Sequence, residues 1–147
     1  MKIKKGGFTL VEILLAVAIL AFVLCSILVT YVSCLTLIAT SKSINIATNA
    51  CLGLVEEIRS DPFVRIIDDY NGLNFIVNEI PVSMGVVYVD DTNPELLQVT
   101  VSICWRQGNR VIGEDADLNG FLDAGEDANG NGIIDSPVQL VTLIANR

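Results

Sequence analysis

The spacing of apolar and polar residues divides the chain into three stretches. From Ile13 to Ser41 no charged residue occurs, and as far as Ala39 the only small hydroxyls are Ser26, Thr30, Ser33 and Thr36. A bilayer-crossing helix needs about 20 apolar residues, so this run is long enough with some to spare. Residues 42–60 then keep a helical rhythm. Ile44, Ala47, Cys51, Leu54, Val55 and Ile58 recur at spacings of three and four, while Lys42, Asn45, Asn49, Glu56 and Arg59 fall elsewhere. Nothing between Leu37 and Lys42 punctuates the pattern, so one continuous helix is expected from about Phe8 to Arg59, roughly 80 Å long at about 1.5 Å per residue. Ser60-Asp61-Pro62 ends it, because the residue before a proline is pushed out of the helical region.

The period then changes. Residues 63–83 are weakly patterned, with a turn at Asp68-Asp69-Tyr70-Asn71-Gly72 and a breaker at Pro81, and are expected to form a linking loop with room for one short element. Met84 to Asp90 suits a strand. Leu97, Val99, Val101, Ile103 and Trp105 alternate with Gln98, Thr100, Ser102 and Cys104, which predicts a strand with one buried face. Gln107-Gly108-Asn109 turns, and Val138 to Ala145 supplies a last strand. The pattern predicts an α+β fold in which a long helix covers a small antiparallel sheet, because the apolar stripe past the membrane run must be covered by something.

Charge sets the orientation of this layout. Lys2, Lys4 and Lys5 stand just before the apolar run and hold the N-terminus in the cytoplasm, so the remainder is expected on the far side of the membrane. A secretory signal peptide would carry an apolar region of roughly 7–15 residues closed by a small-residue cleavage site. Here the run is about twice as long, and its Gly6-Gly7 break precedes it. The whole chain has a net charge of −8, with 9 basic residues, 17 acidic residues and no histidine. That balance argues against nucleic-acid binding, which needs a basic stripe. The four cysteines show no CxxC or Cys/His spacing, so a zinc or haem site is not indicated. Cys25 and Cys34 lie in the membrane run as small packing residues. Cys51 and Cys104 belong to the part facing an oxidising compartment, where two buried thiols and a disulfide both remain open.

One residue in the apolar segment is out of place. Glu12 puts a carboxylate where it costs a few kcal/mol, and no cation follows it until Lys42. The stretch Gly7-Phe8-Thr9-Leu10-Val11-Glu12 resembles the processing site of the type IV pilin-like superfamily, which includes type IV pilins and type II secretion pseudopilins. The resemblance implies cleavage by a membrane prepilin peptidase between Gly7 and Phe8, and methylation of the new N-terminus at Phe8. It also implies that Glu12 pairs with the terminal ammonium of a neighbouring subunit. Electrostatics agrees, since removal of residues 1–7 creates a cation at Phe8 that only an assembly can bring to Glu12. The order of strand, turn, insertion and terminal strand is similar to PilV-like minor pilins and to the minor pseudopilin I of type II secretion. Ala21 and Val29 stand where many major pilins carry glycine and proline, which points away from a major subunit.

The remaining signal is acidic. Seven of the 17 acids fall between Glu114 and Asp135 with no basic residue among them. With Asp115 as position 1 of an EF-hand-type loop, Asp117 is position 3, Asn119 position 5, Gly120 the turn at 6, Phe121 the carbonyl at 7, Asp123 position 9 and Glu126 the bidentate ligand at 12. Hard oxygens at alternate positions wrap a tight loop around one Ca2+. A second start follows with Asp127, Asn129, Asn131, Gly132, the Ile133 carbonyl and Asp135, but its position 12 is Val138, which has no side-chain oxygen. A weak site, a site that borrows Glu126, and a plain Asn-Gly turn all fit that second half. A loop of more than about 12–15 residues between strands is uncommon unless functional or disordered. A calcium clasp accounts for both the length and the charge of the insertion.

The expected organisation is a leader over 1–7, a transmembrane and polymerisation helix over 8–40, and an extracytoplasmic head over 41–147 with the calcium insertion at 113–137. The expected function is a non-enzymatic minor pilin or pseudopilin: anchored in the inner membrane, processed by prepilin peptidase, and packed by its helix against other subunits in a filament. The rival is a membrane-anchored, calcium-dependent binding module that never polymerises. An enzyme fits poorly, since there is no histidine, nucleophile elbow or phosphate loop, and the one carboxylate cluster has the ligand spacing of a hard cation.

Overall fold

A computed structural model describes residues 9–146. Helix α1 covers Leu10–Ser60 without interruption. Thr9 caps its start, accepting the Glu12 N–H on both its carbonyl oxygen (3.1 Å) and its Oγ1 (3.3 Å). Within the apolar run, Ser26, Thr30 and Ser33 donate their hydroxyls to the carbonyls of Phe22, Ser26 and Val29, four residues back, at 2.9 to 3.0 Å. Their polar groups are thus satisfied inside the helix, as a lipid-facing segment requires. The chain divides into two units, Met1–Ala39 and Thr40–Arg147. In the first, the apolar side chains of α1 are exposed along its described length.

The second unit is the head. Ala47, Cys51, Val55 and Ile58 of α1 are buried there, on the face that the helical spacing predicts. After Pro62 a short amphipathic helix α2, Phe63–Tyr70, buries Ile66 and Tyr70. The phenol of Tyr70 donates to Asp61 Oδ2 at 2.6 Å and ties the two helices together across the break. The strands are β1 (Asn74–Phe75), β2 (Ser83–Asn93), β3 (Leu96–Gln107), β4 (Arg110–Ile112) and β5 (Gln139–Ala145), all paired antiparallel. β3 is the axis of this sheet. One edge pairs with β2, from Leu96 opposite Asn93 to Trp105 opposite Ser83. The other edge is shared, with β4 opposite Trp105–Gln107 and β5 opposite Leu96–Ser102.

Alternation places Leu97, Val99, Val101, Ile103 and Trp105 on the face covered by the helices, each at most 1% exposed. Val87 and Val89 of β2 join them in one cluster with the buried residues of α1 and α2. A second, smaller cluster lies on the opposite face, where Val86 and Cys104 are covered by Leu118 and Ile134 of the acidic insertion. Cys51 and Cys104 therefore occupy opposite sides of the sheet. The Cys51 thiol approaches the Val101 carbonyl (3.9 Å), the Cys104 thiol that of Asp135 (3.8 Å), and both are free.

The α+β architecture and the two main strands follow the sequence pattern closely. Three short elements do not. α2 and the two-residue β1 fall in the stretch expected to be a linking loop with room for one short element: eight residues span little more than two helical turns, too few for a period to stand out, and two residues show none. β4 is only three residues long, and no period is visible over three residues.

Candidate functional site

The acidic insertion leaves the sheet after β4 and returns at β5. It therefore interrupts what would otherwise be one ladder along the free edge of β3. At the gap the Ile103 N–H donates to the Val138 carbonyl (3.1 Å), and a neck bond runs from the Glu114 N–H to the Asp135 carbonyl (2.9 Å). The outgoing and returning strands of the insertion are thus held side by side. The insertion is anchored on the sheet by Leu118, Leu122 and Ile134, and the Tyr88 hydroxyl accepts the Ile134 N–H at 3.1 Å.

Beyond the neck, the first loop is organised around Asp115, which has no exposed surface. Its carboxylate accepts the N–H groups of Asn119 (3.0 Å) and Gly120 (2.8 Å), which bends the chain back over it. Gly120 adopts φ +81, and a Cβ there would lie 2.5 Å from the Asn74 side chain, so both conformation and close approach require glycine. Asp117 Oδ1 accepts the Asn119 N–H (3.1 Å), and Asn119 Oδ1 accepts the Phe121 N–H (2.6 Å). The Asn119 amide nitrogen bridges Asp117 and Asp123, 2.9 Å from each. Glu126 folds back across the loop, with one oxygen accepting the Ala116 N–H (2.8 Å) and the other the Asp123 N–H (3.1 Å). Oxygens of Asp115, Asp117 and Glu126 come within 4.8 Å of one another, a group able to hold a metal ion.

Among the described residues no ion pair involves these carboxylates: the pairs are Arg59–Glu56 and Arg65–Asp69, both remote from the insertion in the chain. Burial pushes the Asp115 carboxyl above its ordinary range, against the opposing pull of its N–H donors. Asp127, which opens the second loop, is held below that range by N–H groups, foremost that of Gly132.

The second loop repeats the main backbone bonds of the first. Asp127 accepts the N–H groups of Asn131 (3.1 Å) and Gly132 (3.0 Å), and Asn129 accepts that of Asn131 (3.0 Å). Asn131 accepts the N–H of Ile133 (2.9 Å), and the amide nitrogens of Asn129 and Asn131 lie 2.5 and 2.9 Å from Asp135. A glutamate also folds across this loop, but it is Glu114. Its two oxygens accept the N–H groups of Ala128 (3.2 Å) and Asp135 (3.1 Å), the counterparts of Ala116 and Asp123. Sequence reasoning missed this residue because a linear motif places position 12 at Val138. The signal was present as a tandem repeat. Residues 113–124 and 125–136 share Gly-Glu-Asp-Ala at their starts and Asn-Gly and Asp further on.

At the other end of the chain, Glu12 lies in the first turn of α1 and is exposed. Gly7 and Phe8 lie outside the described residues. Residues 2–28 match the family model described as the prokaryotic N-terminal methylation motif, which spans both of them and Glu12. The match does not distinguish a PilV-like minor pilin from a pseudopilin. No curated protein and no solved structure significantly matches the chain. The motif is followed by a helix that is long and apolar enough to cross a membrane. The chain carries this N-terminal motif, and the helix and antiparallel sheet behind it are consistent with the type IV pilin-like superfamily.

Proposed function

We propose that the protein is a structural minor pilin or pseudopilin of a type IV pilus or type II secretion-like filament. Prepilin peptidase cuts between Gly7 and Phe8 and methylates Phe8. The subunit waits in the inner membrane with a cytoplasmic N-terminus and a periplasmic head, then enters the fibre through its apolar helix. The observation that carries this reading is the methylation motif joined to an apolar run that has no charge from Ile13 to Ser41 and carries the carboxylate of Glu12 at its head. Once the leader is gone, the ammonium of Phe8 on a neighbouring subunit can neutralise Glu12 inside the fibre, where an unpaired charge would be costly. The role is assembly and needs no catalytic residue.

The head is proposed to be stiffened by Ca2+. In the first loop Asp115, Asp117, Asn119, the Phe121 carbonyl, Asp123 and Glu126 would hold the ion, with the Asn119 amide turned so that its oxygen faces inward. Asp127, Asn129, Asn131, the Ile133 carbonyl and Asp135 would serve a second ion. What supports a cation is the buried carboxylate of Asp115, which joins no ion pair among the described residues and lies within reach of two others. An all-oxygen donor set favours a hard ion over zinc or copper. The affinity expected of such an extracellular module is on the order of 10⁻⁴–10⁻³ M.

The test is intact-mass spectrometry of protein from sheared surface fibres and, separately, from membranes, for wild type and Glu12→Ala. A wild-type mass beginning at methylated Phe8 in the fibre fraction is expected. Glu12→Ala should still insert in the membrane but be strongly depleted from fibres. Uncleaved wild-type chain confined to membranes would sink the filament reading and favour an anchored calcium-dependent module that does not polymerise.

A further inference from the structure

The two acidic loops carry complementary gaps and surpluses. The first has its own position 12, Glu126. The second has Val138 there and, by its linear motif, lacks the bidentate carboxylate on which EF-hand-type sites depend. The fold supplies one from elsewhere. Because the neck bond between Glu114 and Asp135 holds the outgoing and returning strands together, Glu114 is delivered beside the second loop while Asp115, its neighbour in sequence, enters the first. The same holds in reverse. Glu126 closes the first loop, and its neighbour Asp127 opens the second.

We infer that Glu114 is the missing bidentate ligand of the second loop, so that the insertion holds two Ca2+ ions, each closed by the glutamate that precedes the other loop's first aspartate. This rests on the calcium reading of the insertion given above. Two separate observations support it. The carboxylate of Glu114 takes the N–H groups of Ala128 and Asp135, at loop positions 2 and 9, just as that of Glu126 takes those of Ala116 and Asp123. The chain, for its part, repeats Gly-Glu-Asp-Ala at residues 113–116 and 125–128, so each glutamate stands in the same place of a tandem unit. The pairing also explains why a second loop without its own twelfth ligand is folded like the first.

The exchange separates this arrangement from one in which Glu126 serves both loops. It is tested on the full-length protein in detergent micelles by titrating Ca2+ and following the backbone amide resonances of Gly120 and Gly132. These are the sixth residues of the two loops, and each donates to its loop's first aspartate. In wild type both amides should shift. In Glu114→Gln the Gly132 response should need at least roughly tenfold more Ca2+ while Gly120 still responds, and Glu126→Gln should show the reverse. Glu114→Asp keeps the charge but shortens the side chain, and should leave Gly132 weakened, as ligation requires and simple charge balance does not. A Gly132 titration unchanged in Glu114→Gln, fully restored in Glu114→Asp, or lost in Glu126→Gln would overturn the exchange while leaving calcium binding intact. Absence of any shift in wild type would overturn the calcium reading and this inference with it.

Discussion

On one face of the sheet, Leu97, Val99, Val101, Ile103 and Trp105 meet Ala47, Cys51, Val55 and Ile58 in a continuous apolar layer. On the other, Val86 and Cys104 are covered by Leu118 and Ile134, with Leu122 packed beside them and carboxylates in the same loops. The first layer needs nothing beyond the chain, because apolar area removed from water stabilises it directly at about 25 cal/mol per Å². The second is a thin layer beneath the insertion of residues 113–137, whose acids repel one another. Under the proposed calcium reading, one sequence folds its two faces by different physics, apolar burial on one and charge neutralisation on the other.

The largest effect expected from that contrast is on the helix face. Ile103→Ala removes a fully buried side chain from the middle of β3 and should cost about 2–5 kcal/mol. Trp105, the single tryptophan, is buried in the same layer and reports unfolding by its fluorescence. Urea unfolding of the full chain in micelles should show the same loss with Ca2+ and with chelator. A loss that appears only in the presence of Ca2+ would mean that the two faces do not fold by separate means.

Removal of the ion should act on the other face. Under the proposed calcium reading, Ca2+ at about a hundred times its dissociation constant adds about 2.7 kcal/mol per site, and chelation should remove it. Amide hydrogen exchange should then quicken over residues 113–137 while β2 and β3 keep their protection. Equal protection of the insertion with and without chelator would place its stability in the Leu118–Ile134 contact and deny the ion a structural part.

How much of this was legible in the chain follows the same division. Strict alternation over Leu97–Trp105 and the three–four spacing of Ala47, Cys51, Val55 and Ile58 are local patterns, and both elements form where those patterns lie. The motif at Gly7-Phe8 with Glu12, and the loop register from Asp115 to Glu126, are local as well. What could not be read is what the fold brings together from a distance. Nothing in the spacing says that the insertion folds back onto the outer face of β2 and β3, or that β4 and β5 share one edge of β3. Nor does a linear register show Glu114 crossing to the second loop, because that depends on the neck bond to Asp135. The opposite facings of Cys51 and Cys104 became evident only when the strand's parity was set against the helix.

The smallest effect concerns position 4 of the two loops, where Leu118 and Gly130 both take left-handed backbone, at φ 62 and 75. For an L-residue that conformation costs roughly 1–2 kcal/mol. Leu118 offsets the cost by burying its side chain against Val86 and Cys104, a contribution of about 1.5–3 kcal/mol. Gly130 has nothing within 4 Å of a would-be Cβ, so a side chain there would be strained without any burial in return. Gly130→Leu should therefore cost roughly 1–2 kcal/mol. Leu118→Gly exchanges lost burial for an easier backbone and should cost only about 1 kcal/mol net. Both are read as shifts of the urea midpoint with Ca2+ present. If Leu118→Gly instead stabilises the protein, the contact with the sheet contributes less than the strain it maintains, and the insertion is held to the outer face by its ions and neck alone.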